Sequence, residues 1–294
     1  MIRKMYFDLG NSNFKGIIDD KKIISSSNVE RVGAGTFGSF EIDGKYYIIG
    51  ESARNKKCTN KIIEEKRALL GRELFTLLED KDKVDISVLL PLSLYVNLEN
   101  KTKYAELLKG KYNVTNPNGV KKTFTVSNVE VCAETYSSLM TQKNLAKDPL
   151  YLVDIGGVDT TGCLVHKIPN ANKMFTSECG MNIYYGELAK VLTARLLESY
   201  NDKDAELLFN KYDTLPDDIK QEIDIFTEEY ISKNIYSSLK EIGYKPLIHK
   251  LVFCGGGSIA LSRYLSKDSN VTILENALYS NVEGAKIIST RRNK

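Results

Sequence analysis

The chain contains few histidines, no closely spaced cysteine pair and no long apolar run. Its only histidines are His166 and His249, and none of its five cysteines is spaced from another as CxxC. Zinc sites usually draw on such pairs, so we expect no zinc site. No segment approaches the roughly 20 apolar residues that span a bilayer, and the opening MIRKMYFDLG has no signal-peptide core. We therefore expect a cytoplasmic protein that does not associate with membranes.

The charge balance limits the partners as well. The 41 basic and 38 acidic residues leave a net charge of +3. A protein that binds nucleic acid directly usually carries a concentrated basic surface, so we expect no direct contact with nucleic acid. The basic tail, residues 289–294, is expected to be a solvated and frayed terminus.

The rest of the composition is typical of a folded protein with a sizeable core. The 294 residues, of which 42% are hydrophobic and 27% charged, are enough for about two domains. Apolar strand patterns alternate with helical ones and end at turn glycines, which predicts an α/β architecture. Helices are predicted at residues 62–78, with a break at Gly71, and at residues 133–147. Buried, reduced thiols are expected for the cysteines: Cys58, Cys132, Cys163, Cys179 and Cys254.

Three segments combine a short apolar strand with a turn made of glycines and small polar residues. They read MYFDLGNSNFK from Met5, YLVDIGGVDTTGCL from Tyr151 and LVFCGGGSIAL from Leu251. The first two are alike, and their acids, Asp8 and Asp154, are far enough apart in the chain for each to head its own half. This repetition predicts a nucleotide held in a cleft between two related halves.

The first turn carries the groups that a polyphosphate needs. Glycine lets the backbone approach the ligand, small polar side chains add donors, and a lysine can meet a terminal phosphate. An ionised aspartate only accepts hydrogen bonds, so we expect Asp8 to hold Mg²⁺ through water. An ordinary hairpin turn is the alternative reading. The expected phosphate contacts are Gly10, Asn11, Ser12, Asn13 and Lys15.

The second turn predicts the same chemistry. Its glycines cost conformational entropy unless the backbone needs them. Gly156, Gly157 and Thr160 are the expected phosphate contacts. Asp154 would be the second carboxylate near the metal ion, and Asp159 is read as a turn residue.

The third turn has three consecutive glycines, Gly255, Gly256 and Gly257, after a buried strand. They would let a flat ligand or a phosphate pack closely at a helix N-terminus, and a tight strand-to-helix turn is the alternative. The turn does not match the GxGxxG dinucleotide fingerprint, and the chain contains no GxxxxGK[ST] loop.

The order of these motifs resembles that of the actin superfamily. DLGNSNFK, VCAETYSSL, DIGGVDTTG, SECGMNIYYGEL and VFCGGGSIAL are similar to phosphate loop 1, the connecting helix, phosphate loop 2, a loop near the ribose and purine, and the adenosine loop. The resemblance spans nearly the whole chain and is greatest to the plasmid-segregating bacterial branch, the ParM/StbA and AlfA-type actin-like ATPases. It implies a duplicated, ribonuclease H-like α/β fold of two domains, with the nucleotide in the interdomain cleft.

The resemblance also implies roles for single residues. Glu134 matches the acid that orients the attacking water, although a carboxylate that opens a helix often only suits the helix dipole. Asp8 and Asp154 match the two metal-associated acids. Contacts with the ribose and purine are implied for Gly180, Asn182 and Glu187.

The same resemblance divides the chain. Because the interval between phosphate loop 2 and the adenosine loop is shorter than in actin, subdomain IIB is expected to be reduced to residues 201–218. The implied domains are domain I, residues 1–149 with subdomain IB inserted at about 31–66 and the C-terminal helix 277–294 returning to it, and domain II, residues 150–276.

The implied function is that of an ATPase that assembles into filaments. ATP or GTP and Mg²⁺ are the implied cofactors, and the subunits would associate head to tail. The implied partner is an adaptor protein bound to a centromere-like site on plasmid or phage DNA. Two alternatives stay open, because a fold does not fix a function. They are a small-molecule kinase of the same superfold and a nucleotide-binding scaffold that does not hydrolyse.

Overall fold

A computed structural model describes residues 3–54, 60–267 and 269–292. The chain divides into two compact units, one formed by Met1–Thr141 with Tyr279–Lys294 and the other by Gln142–Leu278. The finer assignment to domains I and II, with an inserted subdomain IB, stays a prediction. The same holds for the reduction of subdomain IIB.

Strands and helices alternate along the described residues. In chain order the strands are β1 (Arg3–Leu9), β2 (Asn13–Ile18), β3 (Lys21–Ser26), β4 (Val29–Val32), β5 (Phe40–Ile42), β6 (Lys45–Ile49), β7 (Lys83–Leu90), β8 (Gly110–Thr115), β9 (Lys121–Ala133), β10 (Leu150–Ile155), β11 (Thr160–His166), β12 (Ile168–Ser177), β13 (Lys250–Cys254) and β14 (Val271–Ile273). The helices are α1 (Glu64–Leu77), α2 (Leu92–Tyr95), α3 (Leu98–Leu108), α4 (Met181–Leu196), α5 (Asp202–Asn210), α6 (Asp217–Ile231), α7 (Ser237–Glu241), α8 (Gly256–Ala260), α9 (Ser262–Leu265) and α10 (Ser280–Arg292).

The first unit is built on a nine-stranded sheet in the order β3-β2-β1-β7-β9-β8-β5-β6-β4. β1 runs antiparallel to β2 and parallel to β7, which runs parallel to β9. Successive residues of a strand face opposite sides of the sheet, so Val88 and Leu90 join the core beneath α1, and Leu89 packs with Val282 of α10. Because β1, β7 and β9 are parallel, their carboxyl ends meet at one edge of the sheet.

The second unit has a smaller sheet in the order β12-β11-β10-β13-β14. β10 runs antiparallel to β11 and parallel to β13, which runs parallel to β14. Strand for strand, this is the arrangement of β3-β2-β1-β7-β9 in the first unit, so the predicted duplication is confirmed. The core of this unit is rich in aromatic side chains, among them Tyr184, Tyr185, Phe209, Tyr230, Phe253 and Tyr264.

The predicted break at Gly71 is wrong, because α1 continues through this residue. A Cβ atom at Gly71 would lie 3.2 Å from the Tyr112 ring and 3.3 Å from Ile42. The glycine therefore lets the helix pack closely on the sheet, and tertiary packing outweighs its low helix propensity.

The predicted helix over residues 133–147 is confirmed only in part. β9 extends to Ala133, and a turn follows in which Thr135 has a φ of +67°. Residues Tyr136–Lys147 then form a 3₁₀ segment with a kink at Gln142. Glu134 therefore lies in a turn, directly after a strand and two residues before the 3₁₀ segment.

The C-terminal tail is ordered further than expected. α10 continues to Arg292, whose guanidinium group donates a 2.9 Å hydrogen bond to Glu130. A frayed tail from residue 289 is therefore wrong for 289–292, while Asn293 and Lys294 lie outside the described residues.

The described cysteines agree with the sequence analysis, and Cys58 lies outside the described residues. Cys132, Cys163, Cys179 and Cys254 are buried free thiols. No helix within the described ranges has both the length and the apolar character needed to cross a membrane.

Candidate functional site

The turn between β1 and β2 is built around a glycine. A Cβ atom at Gly10 would overlap the carbonyl oxygen of Asn13, so the tight backbone requires glycine here. The turn is held from outside, since Lys66 Nζ donates to the Gly10 carbonyl at 2.7 Å and the Ser27 amide donates to the Ser12 carbonyl at 3.1 Å. The turn itself therefore requires the glycine, as the alternative reading of a hairpin turn also predicts, and the phosphate contacts stay a prediction.

A small cavity of about 110 Å³ lies beside this turn. Asn11 and Ser27 line it, and within the described part of the chain Asn11 Oδ1 and Ser27 Oγ are buried without a hydrogen-bond partner. Its volume admits a few water molecules and falls well short of the roughly 300 Å³ or more of a nucleotide-sized pocket. Asn11 thus has hydrogen-bonding capacity for water or a small ligand at this turn.

Four charged side chains meet at the carboxyl edge of the first sheet. Asp8 pairs in register with Lys15 on β2, and Lys15 Nζ lies 3.3 Å from Asp8 Oδ2. Lys61 Nζ lies 3.0 Å from Asp8 Oδ1 and 2.7 Å from Glu134 Oε2. The structure therefore brings together Asp8, Lys15 and Glu134, and adds Lys61, which the sequence analysis missed.

The centre of the cluster is buried, and its two members stabilise each other's charged forms. The side chains of Asp8 and Lys61 are each 2% exposed. Burial alone would raise the pKa of Asp8, but Lys61 and Lys15 outweigh it and lower that pKa to about 2. Burial would likewise lower the pKa of Lys61, yet Asp8 and Glu134 hold it well above its usual value. Asp8 and Lys61 thus form a buried ion pair, while the Glu134 side chain beside them is 20% exposed.

In the second unit, the turn after β10 has the same tight form. The Gly156 amide donates to the Asp159 carbonyl at 2.9 Å, which places Asp159 in the turn as expected. Asp154 lies in β10, opposite Thr161 of β11 and Cys254 of β13, and is 8% exposed. Thr160 is buried, and its hydroxyl group donates to the Cys179 carbonyl at 3.2 Å.

This turn is joined to the start of α4. The amides of Gly180, Met181 and Asn182 donate to the carbonyls of Val158, Gly156 and Gly157, at 3.1, 3.0 and 2.8 Å. The structure therefore brings together Gly156, Gly157, Gly180 and Asn182. Because the first amides of α4 are used in this way, the helix N-terminus has no spare donors there, and a ligand contact at Asn182 would have to use its side chain.

The three glycines after β13 are explained in large part by packing. Gly255 has a φ of +85°, and a Cβ atom there would overlap Asp154 Oδ1. A Cβ atom at Gly257 would overlap Ile155, and one at Gly256 would lie 3.2 Å from Leu278. The alternative of a tight strand-to-helix turn is thus well supported, and it places the turn against the end of β10.

The geometry can be compared with known proteins. Residues 7–136 match the family described as actin-like proteins, N-terminal domain. The solved structure of the actin-like protein Alp7A is similar, with 16% identity, coverage of 99% of this chain and 96% of that chain, and a TM-score of 0.82. The archaeal actin homologue Ta0583 in complex with ADP has 17% identity, coverage of 99% and 100%, and a TM-score of 0.75.

A 15-stranded ParM filament from Clostridium botulinum is also similar, with 17% identity, coverage of 99% of each chain and a TM-score of 0.73. The fold is actin-like. These matches confirm the predicted two-domain α/β fold and the resemblance to the actin superfamily with its ParM and Alp proteins. No sequence among the curated proteins matches the chain.

Two further predicted site residues are exposed side chains. Asn13 is exposed at the start of β2, and Glu187 is exposed about two helical turns beyond Gly180 on α4. No bond ties Glu187 to the turn at Gly156 among the described contacts. Glu187 is therefore the predicted site residue with the least structural support.

The donor chemistry of the actin-like fold fits Mg²⁺ held through water. Each unit offers one buried acid near the end of a strand, Asp8 and Asp154. Within the described ranges no group of three or more His, Cys, Asp or Glu side chains is placed to hold a metal ion directly. Mg²⁺ keeps several of its waters and needs only one or two protein carboxylates, so a single buried acid is compatible with it.

Proposed function

We propose that this protein is a nucleoside triphosphatase that assembles into filaments and segregates plasmid or phage DNA through an adaptor protein. The observation that carries the proposal is the buried Asp8–Lys61–Glu134 cluster at the glycine turn of β1 and β2, in a fold whose second unit repeats that turn with Asp154. An acid near each phosphate turn and a further carboxylate for water are the parts that phosphoryl transfer requires.

In this proposal ATP or GTP is bound by the glycine turns of the two units. Asp8 and Asp154 hold Mg²⁺ through water, and the ion would neutralise charge on the phosphates. Lys15 places a point charge near the phosphates, and its contact with Asp8 fixes the direction of the lysine side chain. The proposed contacts are Gly10, Asn11, Ser12, Asn13 and Lys15 in the first turn, Gly156, Gly157 and Thr160 in the second, and Gly180, Asn182, Glu187, Gly255, Gly256 and Gly257 for the nucleoside.

Glu134 is proposed to orient the attacking water. It follows a buried strand directly, its amide donates to the Leu90 carbonyl at 2.9 Å, and its carboxylate is 20% exposed. A carboxylate on a rigid strand end, partly open to solvent, can accept a hydrogen bond from water and hold it in line. Catalysis would then consist of positioning and charge stabilisation.

Filament formation is supported by the similarity to proteins that assemble. Similar structures include a ParM filament and an Alp12 filament, and one actin homologue of the same fold binds ADP. Head-to-tail contacts generate open filaments when the rotation does not close a ring. The proposed adaptor, rather than the filament, would contact DNA, which is compatible with the net charge of +3. The proposed location is the cytoplasm.

Sedimentation tests this proposal. The purified protein is centrifuged with Mg²⁺ and ATP, with Mg²⁺ and GTP, and without nucleotide, and phosphate is measured in the same tubes. We expect pelleting that depends on nucleotide, together with phosphate release. Pelleting without phosphate would favour the scaffold, and a phosphorylated small molecule without a pellet would favour the kinase. A protein that neither pellets nor releases phosphate would contradict the proposal.

A further inference from the structure

Lys61 is a buried cation that the proposed mechanism does not use. Its ammonium group contacts both Asp8 and Glu134, at 3.0 and 2.7 Å. The two carboxylate oxygens are therefore separated by no more than the sum of these distances. Asp8 lies on β1 and Glu134 follows β9, so the contact joins the ends of two strands that are not neighbours in the sheet.

We propose that Lys61 is the positioning residue of Glu134 and fixes the direction of its carboxylate relative to Asp8. This inference rests on the proposed function, because it concerns the residue that orients water. Lys61 would act through Glu134 and would not touch the nucleotide or the water itself.

Charge compensation alone does not explain the arrangement. Asp8 already has a cation, Lys15, which pairs with it across the β1–β2 hairpin. Burying a second lysine is costly, and apolar side chains of similar size fill such positions without that cost. What Lys61 adds is a link of fixed length between the acid of the phosphate turn and Glu134. Such a link would keep a carboxylate in the position from which it holds water in line for attack. Small displacements of the carboxylate would strongly reduce the rate of hydrolysis.

Lys61→Met tests this inference together with Glu134→Gln and the double variant. Phosphate release is measured in single turnover at saturating nucleotide, and the Kd is measured with a fluorescent ATP analogue. We expect Lys61→Met to slow release about 10- to 100-fold while the Kd changes less than about threefold, because positioning is lost and binding is not. The matched control is Lys4→Met, which removes a part-buried lysine from Glu130 in the same unit and should leave the rate within about twofold.

The double variant separates an indirect role from an independent one. If Lys61 acts through Glu134, Lys61→Met/Glu134→Gln is no slower than Glu134→Gln alone, because the two effects are not additive. This comparison also serves if Lys61→Met alone does not fold, since the double variant removes one buried charge of each sign.

Each outcome decides the inference. If Lys61→Met releases phosphate at the wild-type rate, or if the double variant is slower than Glu134→Gln, the role of Lys61 is overturned. The proposed function then still stands. A wild-type protein without phosphate release, or a Glu134→Gln variant at the wild-type rate, overturns the catalytic role of Glu134 and the inference with it.

Discussion

At the residue scale, burial and charge together distinguish the side chains of the candidate site from the other charged side chains. Asp8 can be singled out from the sequence because it stands between an apolar strand and a glycine turn, and its role beside a phosphate stays a prediction. Lys61 could not, because it lies 53 residues from Asp8 in the chain and the local sequence does not distinguish it from neighbouring lysines. Its role arises only when β1 and β9 place their carboxyl ends together.

Glu130 provides a pH-dependent prediction at this scale. Lys4 and Ser87 donate to Oε2 at 3.0 and 2.9 Å, and Arg292 donates to Oε1 at 2.9 Å. Burial would raise the pKa of Glu130, but hydrogen bonds from Ser289, Lys4 and Ser87 outweigh burial and lower it to about 2. The unfolded chain has a pKa near 4.3, so the stabilisation is complete above about pH 5 and is lost as the pH falls towards 2.

We expect Glu130→Gln to lower the free energy of unfolding by about 1–2 kcal/mol at pH 7, after allowance for solvent screening. The difference from the wild type should shrink between about pH 5 and pH 3. Denaturant unfolding at several pH values measures it, and Glu99→Gln, which removes an exposed pair with Lys103, is the control. A difference that does not change with pH would show that the charge of Glu130 contributes nothing.

At the scale of elements, the backbone is most tightly constrained at the junctions between strands and turns. The alternation of apolar runs and glycine turns was sufficient to predict β1, β10 and β13. The sequence pattern does not predict the strand-end position of Glu134, because nothing in its local sequence shows that β9 continues to Ala133. The continuation of α1 through Gly71 is not predicted either. The glycine is needed there because the helix packs closely on Tyr112 and Ile42, which lie elsewhere in the chain.

The junction between the second turn and α4 gives a prediction with an internal control. A Cβ atom at Gly180 would lie 2.6 Å from backbone atoms of Gly157 and Val158, which cannot move without opening the turn. We expect Gly180→Ala to destabilise the protein by about 1–3 kcal/mol. Gly186, on the same helix, has open space at the Cβ position, so Gly186→Ala should stabilise by about 0.5–1 kcal/mol.

Thermal unfolding of both variants measures these opposite effects. Both substitutions add one methyl group, at the N-cap residue of α4 in one case and inside the helix in the other, so they contrast a closely packed position with an open one. If Gly180→Ala is as stable as Gly186→Ala, the junction is more adaptable than the structure indicates.

At the scale of the whole molecule, the duplication was visible in the sequence because Asp8 and Asp154 follow similar strands. The two units share the order of five strands, and the fold is actin-like at 16–17% identity to the similar structures described above. Which strands pair with each other follows from the hydrophobic pattern and from the residues of the turns. Both can be kept when the overall sequence identity is only 16–17%. Filament contacts do not follow from either, because surface residues are not constrained by the fold.

We propose that the Glu134 carboxylate drives nucleotide hydrolysis in a protein that also assembles into filaments. The most direct measurement is sedimentation of Glu134→Gln beside the wild type, with Mg²⁺ and ATP, and with phosphate measured in each tube. We predict that the variant still pellets with nucleotide while its phosphate release falls by about 100-fold or more, because binding is kept and the water is no longer held in line. Phosphate release at the wild-type rate by Glu134→Gln would contradict the account.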